Sequence, residues 1–267
     1  MSFTKFKNFI ILIIVVFICG CAAKKQKPKL FSTDVYLNGT YSLPDIATIS
    51  DTLILNDSSG KRIIPIKEYW DPSVGIAGKK LVIINPGYGG KSTDFDYTAR
   101  MLVKESYFVV TIQHDLLTDD SLTGIGDIYK LRKSLWERGI KNIFVVDNEM
   151  RARHPKLNFK HTVLLGHANG GDIAMFMAKE YPLYAKTIIT LDNLYVPFPK
   201  SDHIKVFSIR SGDQAADPGV LPTAEEQKKY HIKIVKVNTT HNDMGGTGTD
   251  AQKEEINKHI LDFLNNN

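Results

Sequence analysis

Gly166-His167-Ala168-Asn169-Gly170 lies between two stretches of opposite character. The stretch before it, 161–165, is apolar and β-branched, which is typical of a buried strand. The stretch after it, 172–180, has apolar residues at helical spacing, and Pro182 predicts where that helix ends. The two glycines therefore predict a sharp turn from a buried strand directly into a helix, with little space for a side chain at either glycine.

The rest of the chain alternates between strand and helix patterns. Apolar or alternating runs predict strands at 34–38, 52–56, 62–69, 79–84, 107–112, 188–191, 204–209 and 232–237. Helical periodicity predicts helices at 93–105 and 128–153, the second with an interruption near Gly139. This alternation predicts an α/β class with a mostly parallel sheet and right-handed crossovers, in which ligands bind at the carboxyl ends of the strands.

Several motifs occur in an order that resembles one known superfamily. They are Asn85 to Gly90 after a strand, Gln113-His114-Asp115, Gly170-Gly171-Asp172, Asp217-Pro218-Gly219-Val220-Leu221-Pro222 and His241-Asn242-Asp243-Met244. Over residues 79–264 the chain resembles the α/β-hydrolase superfamily, and within it a small bacterial esterase-like subgroup with a G-H-S-N-G-G-D elbow. The resemblance implies an α/β-hydrolase fold with a mostly parallel sheet flanked by helices. Residues 192–203 are too few for a large lid domain, so the loop 194–199 is the expected cover of the pocket.

The resemblance also implies a catalytic triad, with one departure. Ala168 stands at the nucleophile position, where relatives have serine, and its methyl group cannot attack a carbonyl carbon. By position His241 corresponds to the base. Asp217 is the expected acid because it precedes a Pro-Gly-Val-Leu-Pro segment, and Asp213 is an alternative because it directly follows a strand.

The same resemblance implies an oxyanion hole made of backbone N–H groups. By position these belong to Tyr88 and Asn169. His114 and Asp115 follow a strand near the expected pocket mouth, where a structural hydrogen-bonding role is favoured over a catalytic one. Asp172 is explained by the dipole at the start of a helix.

Three functions are compatible with this pattern. The favoured one is a pseudo-enzyme descended from an esterase-like serine hydrolase, which retains a pocket for an acyl ligand or a protein partner. The second is an active carboxylester or acyl hydrolase, represented either by an engineered Ala168 variant or by a mechanism in which His241 activates water. The third is a purely structural envelope lipoprotein.

The amino-terminal segment predicts export and lipidation. Lys5 and Lys7 precede an unbroken apolar run, 9–18, which is shorter than the ~20 residues that a membrane-spanning helix needs. Ile18-Cys19-Gly20-Cys21 resembles a bacterial lipobox, which predicts a signal peptide at 1–20 and a lipid on Cys21. Residues 21–32 are then a basic tether and 33–267 a single domain. With Ala22 as the second residue of the mature chain, we expect a location in the outer membrane, facing the periplasm.

Charge and cysteine content exclude several other classes. The formal net charge of +5 comes from six lysines in the first 29 residues, so the remainder of the chain has a net charge of −1. That balance gives no reason to expect a nucleic-acid partner. Both cysteines, Cys19 and Cys21, precede the domain, which excludes disulfides and cysteine-based metal or nucleophile sites within it. No spacing of His, Asp and Glu predicts a metal site, and no cofactor motif is present.

Overall fold

A computed structural model describes residues 49–119 and 127–266. The signal peptide, the tether and the strand predicted at 34–38 lie outside these residues and stay predictions. Among the described residues, no helix is long and apolar enough to cross a membrane.

Eight strands form one mostly parallel sheet, in the order β1-β2-β4-β3-β5-β6-β7-β8. Strand β2 pairs antiparallel with both β1 and β4, and the other pairs of neighbouring strands are parallel. The strands are β1 (Ile49–Asn56), β2 (Ile63–Trp70), β3 (Lys80–Asn85), β4 (Phe108–Ile112), β5 (Asn158–His167), β6 (Thr187–Leu191), β7 (Lys205–Arg210) and β8 (Lys233–Lys236). The strands predicted within the described residues are all present, with bounds shifted by a few residues.

Helices cover both faces of the sheet. They are α1 (Asp96–Lys104), α2 (Ile128–Arg153), α3 (Asn169–Glu180), α4 (Ala224–Lys229) and α5 (Asp250–Asn265). Alternate residues of each central strand point to opposite faces: Ile83 packs in one core with α2 and α3, whereas Ile84 packs in the other with α1 and α5. This two-sided burial explains why the central strands are continuous apolar runs.

The interruption predicted near Gly139 is wrong, because α2 is one continuous helix. A Cβ added at Gly139 would lie 2.5 Å from Cδ1 of Ile173 in α3. The glycine therefore permits the close approach of α2 and α3, and that packing outweighs the roughly 1 kcal/mol by which glycine disfavours a helix interior.

Strands β3 to β8 are parallel, so their carboxyl ends meet at one edge of the sheet. The loops that follow β3, β5 and β6 contribute residues to one cavity at this edge, together with the loop after β8. Residues 192–204 connect β6 to β7 without a helix or strand, as expected from the absence of a large lid.

Candidate active site

The turn between β5 and α3 holds Ala168 in a strained backbone conformation. Its φ is 48° and its ψ is −118°, a combination that costs a non-glycine residue about 1–3 kcal/mol. The backbone N–H of Ala168 donates to the carbonyl of Leu191 at 2.8 Å, which ties the turn to the end of β6. The methyl group of Ala168 lines the cavity in the position that the resemblance assigns to a nucleophile.

The two flanking glycines provide space rather than an unusual φ. A Cβ on Gly170 would lie 1.9 Å from the carbonyl oxygen of Asn85, and a Cβ on Gly166 would lie 2.2 Å from that of Gly170. Real Cβ atoms do not approach backbone this closely. Gly170 therefore allows α3 to begin against the end of β3, and Gly166 allows the elbow to close on the first turn of α3.

His241 is paired with a buried carboxylate that sequence analysis did not single out. Its Nδ1 lies 3.1 Å from Oδ2 of Asp192, the residue directly after β6. The other carboxylate oxygen accepts the backbone N–H of Ser211 at 2.9 Å and lies 3.2 Å from Nε of Arg210. Burial acts to raise the pKa of Asp192, but the contacts with His241, Ser211 and Arg210 outweigh it and lower the pKa below its ordinary value. An ionised Asp192 holds the hydrogen of His241 on Nδ1 and leaves Nε2 as the basic nitrogen.

Neither acid expected from the sequence contacts the His241 ring. Asp213 is exposed, and its Oδ1 accepts the backbone N–H of His241 at 2.7 Å. Asp217 is also exposed; its backbone N–H donates to the carbonyl of Leu194, and its carbonyl accepts the N–H of Val220 in a turn. The carboxylate that contacts the His241 ring is therefore that of Asp192. The sequence feature that could have identified Asp192 is its position at the carboxyl end of a predicted strand, which is the first strand after the elbow helix.

His167, next to Ala168, supports the loop that carries His241. Its Nε2–H donates to the backbone carbonyl of His241 at 3.0 Å, and the two ring centroids are 4.8 Å apart. Burial, with a smaller contribution from the charge of His241, lowers the pKa of His167 to about 4. His167 is therefore neutral near pH 7, and its tautomer is the one that can donate to that carbonyl.

Tyr88 and Asn169 both line the cavity beside Ala168. The side-chain Oδ1 of Asn169 accepts the indole N–H of Trp136 at 3.0 Å, within the core. Since Asn169 is the first residue of α3, its backbone N–H has no acceptor within the helix. That N–H group is a donor that Asn169 can offer at the cavity. The oxyanion-hole roles of Asn169 and Tyr88 stay predictions.

The pair His114 and Asp115 fixes both ends of the loop that contains Tyr88. The ring of His114 is buried and its Nε2–H donates to Oδ1 of Asn85 at 2.9 Å. Asp115 accepts the backbone N–H of Gly89 at 3.0 Å and is ion-paired with Arg138. Burial, reinforced by nearby arginines, lowers the pKa of His114 to about 3, so this histidine is neutral. These contacts make the pair a structural support for the loop.

Asp172 does more than interact with the dipole of α3, because it also binds the loop after β6. Its Oδ1 accepts the backbone N–H groups of Leu194, Tyr195 and Val196 at 3.1, 2.9 and 2.9 Å. Burial raises the pKa of Asp172 to about 7, and the three N–H donors act in the opposite direction. This contact fixes the loop after β6, of which Leu194 and Tyr195 form part of the cavity wall.

The resulting cavity has a volume of about 190 Å³. Its lining comprises Gly87, Tyr88, Arg132, His167, Ala168, Asn169, Leu194, Tyr195, His241 and Asn242. The volume is below the roughly 300–1,000 Å³ typical of pockets for drug-sized ligands. The cavity contains a base held by a carboxylate, but at the elbow it has a methyl group instead of a nucleophile. Among the described residues, no group of three or more potential metal ligands occurs.

The fold is the α/β-hydrolase fold, as comparisons with solved structures show. An S-formylglutathione hydrolase from Agrobacterium tumefaciens has a TM-score of 0.58 at 13% identity, over 81% of this chain and 94% of that chain. A dienelactone hydrolase-like promiscuous phosphotriesterase from metagenomic libraries has a TM-score of 0.59 at 14% identity, over 80% and 97%. A ferulic acid esterase from Streptomyces cinnamoneus has a TM-score of 0.55 at 14% identity, over 75% and 76%.

No family model matches this sequence, and no curated protein resembles it significantly. At the identities of the solved structures the likeness shows the fold alone.

Proposed function

We propose that this protein is a pseudo-enzyme of the α/β-hydrolase fold that binds a small acyl-type ligand or a protein partner without hydrolysing it. One observation carries the proposal: Ala168 occupies the strained elbow position, while the paired His241 and Asp192 line or adjoin the same cavity. In this proposal, the supporting parts of a serine hydrolase site surround a residue that cannot form an acyl-enzyme.

The loss of kcat expected when alanine replaces the catalytic serine excludes ordinary serine-hydrolase turnover. In subtilisin, removal of the catalytic serine lowers kcat by about 10⁶-fold. At 1.36 kcal/mol for each factor of ten, that loss corresponds to roughly 8 kcal/mol of transition-state stabilisation. No rearrangement of neighbouring hydrogen bonds offsets such a loss of transition-state stabilisation.

A second candidate is a hydrolase in which water replaces the serine. The contact between Nδ1 of His241 and Asp192 favours it, because it leaves Nε2 to act as the base on a water in the space beside the Ala168 methyl group. The two candidates differ in whether the unchanged protein turns over an ester.

The location proposed with this function is the bacterial cell envelope, with a lipid on Cys21 and the domain on the periplasmic side of the outer membrane. The sequence 18–21 and the basic tether support this proposal. Mass spectrometry of the amino-terminal peptide tests it: a diacylglyceryl adduct on Cys21 supports it, whereas an unprocessed Met1 peptide contradicts it.

The function is tested by comparing the full-length protein with its Ala168→Ser variant on p-nitrophenyl acetate, with a fluorophosphonate label as a second readout. We expect only the serine variant to turn over ester and to label. Ala178→Ser, which places a serine at a buried position later in the same helix, is the matched control and should do neither.

Two other results would overturn the proposal. If the unchanged protein hydrolyses ester without labelling, and His241→Ala abolishes that activity, the water mechanism is correct. If Ala168→Ser is folded but neither turns over nor labels, the site is not a residual hydrolase site and the structural alternative is favoured.

A further inference from the structure

A row of lysines stands at the start of three central strands, at the edge of the sheet opposite the Ala168 cavity. Lys80 and Lys205 are the first residues of β3 and β7, and Lys186 directly precedes β6. The backbone N–H of Lys205 donates to the carbonyl of Lys186 at 2.9 Å, so these two lysines belong to neighbouring strands. All three lysines are exposed, and they line one cavity of about 300 Å³.

Two common structural reasons for surface lysines do not apply to this lysine row. Lysines in the last turn of a helix interact favourably with its dipole, but these three lie at the start of strands. Lysines on an edge strand discourage pairing with another sheet, but β3, β6 and β7 each have a hydrogen-bonded neighbour on both sides. A concentration of positive charge at this cavity therefore favours an anionic partner.

The rest of the cavity lining combines polar groups with an apolar floor. His161 and His203 add ring N–H donors even when they are neutral. Asp202 is the one carboxylate among the described residues that line the cavity, and its Oδ1 lies 3.6 Å from Nε2 of His203. The three lysines and Asp202 leave the lining with a net positive charge without any contribution from the histidines. The apolar floor comprises Tyr107, Val163, Phe263 and Leu264.

The chain that precedes the described domain joins it at the same edge. Strand β1 is antiparallel to β2 and β2 is antiparallel to β4, so β1 runs in the direction of the parallel strands. Ile49, the first residue of β1, therefore lies at the edge where the strands of the lysine row begin. Four strand spacings, or roughly 20 Å, separate β1 from β5, which lies between β3 and β6. The segment that carries Cys21 is thus joined to the domain on the side of the lysine row and not on the side of Ala168.

We propose that the lysine row binds the phosphates of an anionic phospholipid surface and orients the domain on it. Charge complementarity supports this partner, because lysines near an anionic membrane surface are attracted to it. The apolar floor favours a lipid over a free, hydrated anion, and the attachment of the chain at Ile49 places the same edge towards a membrane anchor. In this orientation the Ala168 cavity faces away from the membrane, so its ligand or partner reaches it from the aqueous side. This orientation rests on the envelope location proposed above.

Energy transfer from a labelled protein to a labelled lipid headgroup measures the orientation. Since the domain contains no cysteine, a fluorophore can be attached at Asn265→Cys, next to Leu264 in the cavity lining, or at Ala215→Cys, in the exposed loop after β7. Each full-length protein is reconstituted into phosphatidylcholine vesicles that contain one third phosphatidylglycerol. We expect transfer from residue 265 to exceed transfer from residue 215 by at least about twofold, and the difference to disappear in pure phosphatidylcholine or at high salt.

Charge variants test whether the lysine row causes the orientation. Substituting all three of its lysines by glutamine should remove the difference between the two labels, because each lysine contributes about fivefold to the affinity for an anionic surface. Thermal unfolding followed by circular dichroism shows whether this variant is folded. Lys186→Glu, a single charge reversal at an exposed residue, provides a second variant and should reduce the difference.

The matched control removes the same charge from the opposite edge. Lys61, Lys91 and Lys130 are exposed lysines that follow β1, β3 and β4, and the triple glutamine variant at these positions should keep the difference between the labels. Equal loss in the two triple variants would overturn the proposal, because net charge and not the lysine row would then be responsible.

Other results would also contradict the orientation. Equal transfer from the two labels in anionic vesicles, or greater transfer from residue 215, would show that the lysine row does not face the membrane. Loss of the difference on adding millimolar inorganic phosphate at constant ionic strength would make the cavity a site for a free anion. A protein that does not float with either vesicle would contradict the envelope location and this orientation together. None of these results depends on whether Ala168→Ser regains ester turnover, so they are distinguishable from failure of the pseudo-enzyme proposal.

Discussion

Nδ1 of His241 lies 3.1 Å from Oδ2 of Asp192, and these two residues come from loops that follow different strands, β8 and β6. Strand β6 is hydrogen-bonded to β5, which carries the elbow. Asp192 is completely buried and has a φ of 54°, so its backbone, like that of Ala168, is held in a conformation that disfavours non-glycine residues. The carboxylate paired with His241 is therefore fixed by the core and not by an exposed loop.

In the Ala168→Ser background, Asp192→Asn should lower kcat for ester hydrolysis by roughly 10³–10⁴-fold, because an amide stabilises the wrong tautomer of the base. Asp213→Asn and Asp217→Asn are matched controls with the same chemical change, and each should alter kcat by less than about tenfold. Steady-state kinetics on p-nitrophenyl acetate measure all three. A large loss in Asp217→Asn with little loss in Asp192→Asn would restore the acid expected from the sequence.

In the same background, Asp115→Asn should lower kcat by roughly 10- to 100-fold with little change in KM. The amide holds the Gly89 N–H less strongly than a carboxylate does, so the loop that contains Tyr88, which is the predicted source of an oxyanion donor, would be less well fixed. Complete loss of one oxyanion donor costs about 10²–10³-fold. Asp119→Asn is the control, since Asp119 pairs with Arg62 and Arg138 but does not contact the loop. Equal effects of the two substitutions on kcat would show that the ion-pair cluster, and not the Gly89 contact, is responsible.

Ala168→Gly should stabilise the protein by about 1 kcal/mol. The substitution relieves a backbone strain of about 1–3 kcal/mol, which exceeds the roughly 0.5–1 kcal/mol by which glycine favours the unfolded chain. Ala174→Gly, at a buried position within α3, has no strain to relieve and should destabilise. Urea unfolding measures both free energies, and destabilisation by Ala168→Gly would show that the elbow is not strained.

The two neutral histidines predict a loss of stability in mild acid. The pKa values of His114 and His167 are lowered to about 3 and about 4, from 6.5 in the unfolded chain. Between about pH 4 and 6.5 the unfolded chain binds a proton at each histidine and the folded protein does not. The free energy of unfolding therefore falls as pH is lowered through this window, by up to about 1.4 kcal/mol per pH unit for each histidine.

His114→Gln keeps an N–H donor for Asn85 and removes one titrating group. Between pH 4 and 6, we expect the slope of the unfolding free energy against pH to decrease by the contribution of about one proton, which is about 1.4 kcal/mol per pH unit. We expect this decrease whatever the change in stability at pH 7. Urea unfolding at several pH values measures the slope. An unchanged slope would show that His114 titrates alike in the folded and unfolded states.

The order of strands and helices could be predicted because it depends on local patterns. The apolar runs of β3, β4 and β5 are continuous because both faces of the sheet are covered. The two elbow glycines predicted the turn from a strand into a helix. The interruption predicted near Gly139 was wrong. A glycine is needed there because of a contact with Ile173 in another helix, and helix propensity carries no information about contacts between helices.

Individual site residues were predictable to different degrees. Ala168 and His241 follow from position along the chain, and the structure brings both to one cavity. Asp192 could not be chosen over Asp213 and Asp217, because all three follow strands that end at the same edge. Only the tertiary structure distinguishes a buried carboxylate on the His241 ring from an exposed one on its backbone N–H.

The sequence by itself determined the class of fold, the elbow and the absence of a hydroxyl or thiol nucleophile at residue 168, since periodicity, glycine spacing and residue identity are local properties. The tertiary structure alone decided which aspartate holds His241, that His114 and Asp115 support the loop that contains Tyr88, and that Arg132 shares the cavity with Ala168. These relationships join residues that are far apart in the chain, and their distances are fixed only when the sheet places the ends of its strands side by side.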